Sequence, residues 1–330
     1  MRRVLKPGLI ISLLLSFFLP ITISSTAQNN SVLWYEDNNL GRAGGISPDF
    51  KAMFTTRTEE WQEARKYIKV YLLRLNSLKD PTNGIDDTFL KTALIPKLNE
   101  SHIELALDVP GISCNGGDQA MQQAATYIDK IKQFGGSVRY VSLQSVLSKA
   151  HPECPTYTDQ QRIDNVVTYV QFMHTKYPGI KVGIIDALVA KNEDYKTAYT
   201  QLIQTLKQQG LSLDYIHFDF PMEDATANWS NVIEAQQFVQ QELHLKMGLI
   251  LVSTVGGNTS NESFYTRVLN AYKAYSTAAA QKGVAADDIV MMSWHQYPDH
   301  NLPEKDMSEY PYMRLVLDLA QSGHFSTEAL

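Results

Sequence analysis

The chain has 330 residues and a formal net charge of −6, with 35 Asp and Glu against 29 Lys and Arg. An acidic chain of this kind is not expected to bind nucleic acid or anionic membranes, and it suits a neutral substrate. The length fits one barrel of about 250 residues with extensions. No Pro- or Ser-rich linker, low-complexity tract or short repeat indicates a second domain.

The N-terminal segment has the pattern of a secretory signal peptide. Three cations, Arg2, Arg3 and Lys6, precede an apolar stretch over residues 9–19, and small side chains follow up to Ala27. The apolar stretch is shorter than the roughly 20 residues of a spanning helix, which favours cleavage over a membrane anchor.

We therefore predict a signal peptide over residues 1–27 and a mature protein over 28–330 that is secreted or periplasmic, without stable membrane insertion. Without the three cations of the signal, 26 basic residues remain against 35 acidic ones, and the mature charge is −9. The oligomeric state is left open.

The only two cysteines are Cys114 and Cys154, which follow the third and fourth predicted strands. In an exported protein such a pair forms a disulfide or stays as two buried thiols, and the sequence leaves both possibilities open.

Eight short apolar runs rich in β-branched and aromatic residues recur along the chain, and we number them as predicted strands 1 to 8. They cover residues 32–37, 68–76, 103–109, 137–144, 180–188, 213–220, 245–254 and 288–297.

Stretches with helical periodicity fill most of the intervals between these strands. They cover residues 59–68, 89–98, 119–134, 163–173, 195–206, 229–243, 264–280 and 313–320. Strands that alternate with helices predict parallel pairing through right-handed crossovers. Eight units without a GxGxxG motif favour closure over an open doubly wound sheet. The predicted fold class is therefore α/β, a single (β/α)8 TIM barrel.

Alternation within the strands predicts which side chains enter the barrel. His217 and Asp219 share one face of strand 6, while Ile216, Phe218 and Phe220 share the other. Strands 2, 3 and 4 alternate in the same way. We expect the apolar set to pack on the helices and the polar set to point inward, with its last members at the C-terminal mouth where barrel enzymes place their chemistry.

Carboxylates at strand ends are the candidates for catalysis. Asp108, Asp186 and Asp219 end strands 3, 5 and 6, and Glu223 follows strand 6. Paired carboxylates cleave glycosidic bonds, because one protonates the leaving oxygen while the other attacks or activates water. An Asp at a strand end also commonly caps the next helix. Asp219 is the favoured acid/base, because a cap is less natural within HFDFP and because His217 on its face could shift its pKa.

Polar and aromatic residues near the same strand ends are the candidates for substrate binding. They are Glu36, Arg74, Asn76, Gln144, His217, Trp294, His295 and Tyr297. An aromatic ring at the rim gives an apolar platform on which a sugar ring stacks.

No cofactor is predicted. His217 and His295 could ligate a metal, but the sequence contains neither HxH nor HExxH. It also lacks a GxSxG elbow and a GxxxxGK[ST] loop, which argues against a lipase-type serine enzyme and a P-loop NTPase.

The chain reads YIHFDFPMED at strand 6 and VMMSWHQYP at strand 8. In these two segments and in the order of its strands, it resembles the TIM-barrel glycoside hydrolase superfamily. The resemblance spans nearly the whole mature chain and implies a carbohydrate substrate. It departs from the largest clan of retaining enzymes, whose catalytic Glu residues end strands 4 and 7. Here strand 4 ends in Gln144 and strand 7 in Ser253-Thr254, and the chitinase-like DxxDxDxE pattern is absent.

Three functions follow as hypotheses. The first is an exported enzyme that cleaves glycosidic bonds of a poly- or oligosaccharide with acids on strands 3, 5 and 6. The second is a non-catalytic carbohydrate-binding barrel that keeps the aromatic residues and has lost its carboxylate pair. The third is a metal-dependent hydrolase.

Overall fold

The structure is a computed structural model. It describes residues 31–38, 46–79, 85–109, 118–144, 146–147, 157–187, 194–252, 259–323, 325 and 327, without the side chains of residues 118 and 220–228. The predicted signal peptide and both cysteines lie outside the described residues, so export stays a prediction and the state of the cysteines stays open.

Eight parallel strands close into a barrel in the order of the sequence. The strands are β1 (Val32–Tyr35), β2 (Ile68–Arg74), β3 (Glu104–Val109), β4 (Val138–Gln144), β5 (Lys181–Asp186), β6 (Tyr215–Pro221), β7 (Lys246–Val252) and β8 (Asp288–Met291). Each predicted run contains one of these strands or nearly all of it. The prediction of a closed (β/α)8 barrel rather than an open sheet is confirmed.

The barrel is surrounded by helices that follow the strands. They are α1 (Phe50–Phe54), α2 (Gln62–Tyr67), α3 (Leu75–Lys79), α4 (Asp87–Phe89), α5 (Ile95–Glu100), α6 (Asp118–Gln133), α7 (Asp159–Lys176), α8 (Tyr195–Gln208), α9 (Met222–Gln237), α10 (Asn261–Gln281) and α11 (Tyr312–Ser322). A 3₁₀ turn precedes α2, and π-helical turns join α4 to α5 and extend α9. No helix in the described part of the chain is long and apolar enough to cross a membrane.

The side chains form two apolar layers, one on each face of the sheet. The outer face packs on the helices through residues such as Val182, Ile216 and Leu249. The inner face fills the barrel with a separate cluster that includes Trp34, Tyr140 and Tyr215. Two-sided burial is typical of parallel sheets and explains why the strands are apolar almost throughout.

The strand register sets the height of each inward-facing side chain. When the pairing is followed from strand to strand, Arg74 on β2 is level with Tyr215 on β6. Across the other half of the barrel, Asp219 on β6 is level with Val70 on β2. Tyr215 and Asp219 are four residues apart, and so are Val70 and Arg74, so the register shifts by eight residues in one full circuit of the barrel. With this shear, inward-facing side chains from alternate strands lie at the same height in layers of four.

Candidate active site

Two layers of inward-facing side chains fill the C-terminal end of the barrel. The upper layer comes from the even-numbered strands or their continuation and contains Arg74, Gln144, Asp219 and Met292. The lower layer comes from the odd-numbered strands or their continuation and contains Glu36, Asp108, Ile185 and Ile250. Strands β1 to β4 therefore contribute the polar side chains, and Asp219 stands on the otherwise apolar side.

Glu36 and Arg74 form an ion pair between adjacent strands, in which the Arg74 Nε atom contacts the Glu36 Oε1 atom. Both side chains are buried, with 2% and 9% of their surface exposed. Burial raises the pKa of Glu36 by more than the Arg74 guanidinium lowers it, and the nearby carboxyls of Asp108 and Asp37 raise it further. Arg74 also donates from Nη2 to the backbone carbonyl of Ser293 at 3.2 Å.

Asp108 lies beside this pair and is also buried, with 2% of its surface exposed. Gln144 donates from Nε2 to the Asp108 Oδ2 atom at 2.6 Å. Burial raises the pKa of Asp108, against the lowering effects of Arg74 and of the Gln144 hydrogen bond. Within the described part of the chain, the buried Asp108 Oδ1 and Arg74 Nη1 atoms have no hydrogen-bond partner.

Asp219 occupies the opposite side of the upper layer from Arg74, because β6 and β2 face each other across the eight-stranded barrel. Its side chain is half-buried, in contrast to the fully buried Glu36 and Asp108. Trp294 lies two residues beyond Met292, is half-buried, and packs against the cluster that fills the barrel. The structure thus brings Asp219 to the interior face at the mouth and packs Trp294 on the cluster inside the barrel.

Asp186 is placed differently from the other acids, because it faces out of the barrel. It shares the outer face of β5 with Val182 and Ile184. The Tyr199 hydroxyl on α8 donates to the Asp186 Oδ2 atom at 2.7 Å, and the Ala187 amide donates to Oδ1 at 2.9 Å. The carboxylate predicted to be catalytic therefore holds the end of β5 against α8 and does not enter the mouth.

His217 lies on the interior face as predicted, but far below the mouth. It is fully buried, and its Nε2 atom is 3.1 Å from the Oδ2 atom of Asp288, the first residue of β8. Its ring lies edge-on to Trp34 at 4.7 Å between centroids and 4.5 Å from the Tyr215 ring. The expected role in substrate binding is thus a poor match for its position, because the layers above separate His217 from the mouth.

The remaining predicted site residues are more scattered. Asn76 is half-buried in α3, because the chain turns into a helix directly after Arg74. His295 and Tyr297 are half-buried in the segment after β8, and Tyr297 packs against the outer core. The side chain of Glu223 lies outside the described residues.

The sequence placed Asp37 at the end of strand 1 without a role, and it gave no role to Asn38 or Ser293. All three are buried beside the mouth and hydrogen-bonded to the segment that follows β8 or within it. Burial raises the pKa of Asp37 to about 6, against hydrogen bonds from Ser47 and Asn301 that lower it. The available signal was their position directly after β1 and β8, which are neighbours in a closed barrel.

No group of three or more His, Cys, Asp or Glu residues among the described positions is arranged to hold a metal ion.

No protein-family model and no curated protein matches the chain. Solved structures do match it. A mutant of xylanase A from P fluorescens subsp. cellulosa, in complex with xylopentaose, superposes with a TM-score of 0.57 at 14% identity, over 90% of this chain and 99% of that one. The fold is one that barrel glycoside hydrolases share.

Two further structures give the same result. The intracellular xylanase TsXylA from Thermoanaerobacterium saccharolyticum, a mutant in complex with xylotetraose, has a TM-score of 0.54 at 13% identity, over 81% of this chain and 86% of that one. A glucosidase from Croceicoccus marinus has a TM-score of 0.53 at 12% identity, over 89% of this chain and 68% of that one. At these identities the similarity shows the fold, and it confirms the predicted resemblance at that level.

Proposed function

We propose that this chain binds a neutral poly- or oligosaccharide at the C-terminal mouth of the barrel and hydrolyses a glycosidic bond by carboxylate acid/base chemistry. The observation that carries the proposal is the position of Asp219. Its side chain is half-buried on the interior face, at the height of Arg74 and Gln144 in the upper layer. This is where barrel enzymes place their catalytic groups.

Asp219 acts as the acid/base, and Asp108 is its partner. The sequence suggested two partners. Asp186 is hydrogen-bonded to Tyr199 outside the barrel, whereas Asp108 lies inside the barrel, in the layer directly below that of Asp219. Because burial raises the pKa of Asp108, its carboxylate is a stronger base than that of an exposed Asp, which suits a partner that takes up a proton from the attacking water.

Several groups at the mouth suit a sugar ligand. Asp219 and Gln144 are half-buried in the upper layer, and their polar groups suit sugar hydroxyls, which supply both donors and acceptors. Trp294 is half-buried, and an indole ring is a side chain on which a sugar ring can stack. The proteins of similar fold named above include two xylanases in complex with xylo-oligosaccharides, which makes these compounds suitable first probes.

The test is a screen of the mature protein against xylan, other polysaccharides and aryl glycosides, followed by a pair of variants. Asp219→Asn is expected to lose turnover by roughly 10²- to 10⁴-fold, about 3 to 5 kcal/mol, because an amide cannot pass a proton. Asp186→Asn is the matched control, expected to keep its turnover and to lower the melting temperature. Full turnover in a folded Asp219→Asn protein would remove Asp219 from the mechanism.

A second candidate is a carbohydrate-binding barrel without hydrolytic activity. Two contacts favour this function. Glu36 forms an ion pair with Arg74, and Asp108 accepts a hydrogen bond from Gln144, so fewer carboxylates are available for catalysis. Measured affinity for an oligosaccharide, with no turnover of any compound in the screen, would select this function.

We also propose that the protein is secreted or periplasmic, with its signal peptide cleaved near Ala27. The basic and apolar N-terminal pattern supports this proposal. Mass spectrometry of the protein from its native source measures the N-terminus, and a form that begins at Met1 in the membrane fraction would contradict it.

A further inference from the structure

The segment between β8 and α11 is an unusually long connection without helix or strand. It runs over residues 292–311, a span of 20 residues, and begins with the segment that carries Trp294 and Tyr297. Ordered connections of more than about 15 residues in compact domains usually serve a function. An ordered loop also needs specific contacts to offset the entropy lost on fixing its backbone.

The far part of this loop is fixed by three carboxylates, of which Asp37 and Glu304 are buried and Asp49 is half-buried. Asp49 accepts hydrogen bonds from the backbone amides of Asn301 and Leu302, the latter at 2.7 Å. Asp37 accepts from the Asn301 side chain at 2.8 Å. Glu304 is buried and accepts from the Ala64 amide at the start of α2, at 2.7 Å. These contacts hold the loop against the barrel, but none of them involves the backbone beside the aromatic residues.

Asn38 makes the contacts at that point. Its side chain is fully buried directly after β1, and its Nδ2 atom donates to the carbonyl of His295 at 2.9 Å and to that of Pro298 at 2.6 Å. The two carbonyls bracket Tyr297 and lie close after Trp294. One buried amide group therefore fixes the backbone on both sides of Tyr297.

Two further bonds complete the arrangement. Ser293 donates from Oγ to the Tyr297 carbonyl at 2.7 Å, which closes the segment into a tight curve. Arg74 donates to the Ser293 carbonyl, which ties the same curve to the upper layer of the site. The aromatic segment is thus held by the ends of β1 and β2, the two strands that follow β8 around the barrel.

We propose that Asn38 is a positioning residue that holds the segment carrying Trp294 as a preformed platform at the mouth of the barrel. Its effect on ligand binding rests on the proposed function, whereas its effect on the platform does not. Preformed binding surfaces gain affinity because less conformational entropy is lost when the ligand binds. Asn38 is fully buried and donates to the backbone of this segment, so we expect it to contribute to affinity without contacting the ligand.

The experiment compares two buried amides. Asn38→Asp removes the Nδ2 donor and puts carboxylate oxygens against two carbonyls. The matched control is Gln236→Glu, because Gln236 on α9 is also fully buried and its Nε2 atom donates at 3.1 Å to Gln240, one turn further along the same helix. Asn38→Ser is a milder variant that keeps a single donor, for use if Asn38→Asp does not fold.

The readout without ligand is acrylamide quenching of tryptophan fluorescence. The chain has four tryptophans, of which Trp34 and Trp61 are buried. In a Trp229→Phe background, the quenchable emission therefore comes mainly from Trp294. We expect the quenching constant to rise roughly twofold in Asn38→Asp and less in Asn38→Ser, because a loosened loop exposes the ring more often. Gln236→Glu should leave it unchanged.

An unchanged quenching constant in both Asn38 variants, or an equal rise in Gln236→Glu, would overturn the proposal. Xylopentaose titration then separates it from the proposed function. If the parent protein binds this sugar, the affinity of Asn38→Asp should fall about tenfold or more with little change in the turnover of bound substrate. If no sugar in the screen binds the parent protein, the proposed function fails, while the quenching result still decides the role of Asn38.

Discussion

Glu36 and Arg74 form a buried ion pair inside the barrel, on neighbouring strands and directly beneath the mouth. Removal of one partner from such a pair leaves an uncompensated charge in a medium of low polarity. We expect Arg74→Met to lower the free energy of unfolding by about 3 to 5 kcal/mol, measured by urea denaturation above the raised folded pKa of Glu36, where its carboxyl is charged. Arg139→Met is the control, because Arg139 pairs with Glu104 at 3.3 Å but is 48% exposed, and should cost less than about 1 kcal/mol. Equal losses in the two variants would show that Glu36 does not depend on Arg74.

The stability of the protein should decrease as the pH rises from about 5 to about 8. Burial raises the pKa of Glu36, Asp108 and Asp37 in the folded state, that of Asp37 to about 6. A carboxyl whose folded pKa is raised contributes stability below its unfolded pKa, and that contribution is lost as the pH rises through the folded pKa.

Urea denaturation at a series of pH values measures this slope. Glu36→Gln should flatten it, because an amide binds no proton and needs no charged form to be buried. A wild-type protein whose free energy of unfolding increases from pH 5 to pH 8 would contradict this prediction.

Gly248 leaves room for the His217 ring inside the barrel. A Cβ atom at this position would lie 2.3 Å from Cδ2 of His217 and 2.8 Å from its Nε2 atom. We expect Gly248→Ala to destabilise the fold by about 1 to 3 kcal/mol through overpacking. A double-mutant cycle with His217→Ala provides the control, because removal of the ring creates the missing space. The prediction fails if the two substitutions are simply additive.

Trp294→Ala should weaken the binding of an oligosaccharide by about tenfold and leave the chemistry of bound substrate largely intact, because the ring provides a stacking face and carries no proton. Isothermal titration and a separation of kcat from KM measure the two effects. Tyr127→Ala on α6 is the control, since Tyr127 packs on the outer core at a helix surface. A loss of turnover without a loss of affinity would give Trp294 another role.

The eight strands were predictable from the recurring apolar runs. The side chains that face into the barrel were predictable because alternation in β6 and β3 separates polar from apolar residues. The direction of Asp186 was not predictable in this way. Both faces of β5 are apolar, with Val182 and Ile184 outside and Ile185 inside, so the run shows no period of two. Only pairing with β4 and β6 establishes that Asp186 points toward α8.

The depth of His217 inside the barrel and the residue at which β8 ends were also not predictable from the sequence. Alternation places His217 on the inner face, but its depth follows from the register that puts Asp288 at its side. The apolar run of β8 continues to Met292 and predicts a longer strand. The strand ends at Met291, and hydrogen bonds within the following segment and from Asn38 turn the chain there.

The bridge between Ser31 and Phe325 lies at the end of the barrel opposite the mouth, because Ser31 precedes the first residue of β1. The backbone carbonyl of Thr327 accepts a hydrogen bond from Lys69 near the start of β2, so the described C-terminal residues also stay at that end. A fluorophore, an affinity tag or a solid support joined to the described chain at Ser31 or at Thr327 would therefore attach at the end opposite the mouth. The mouth would then face open solution.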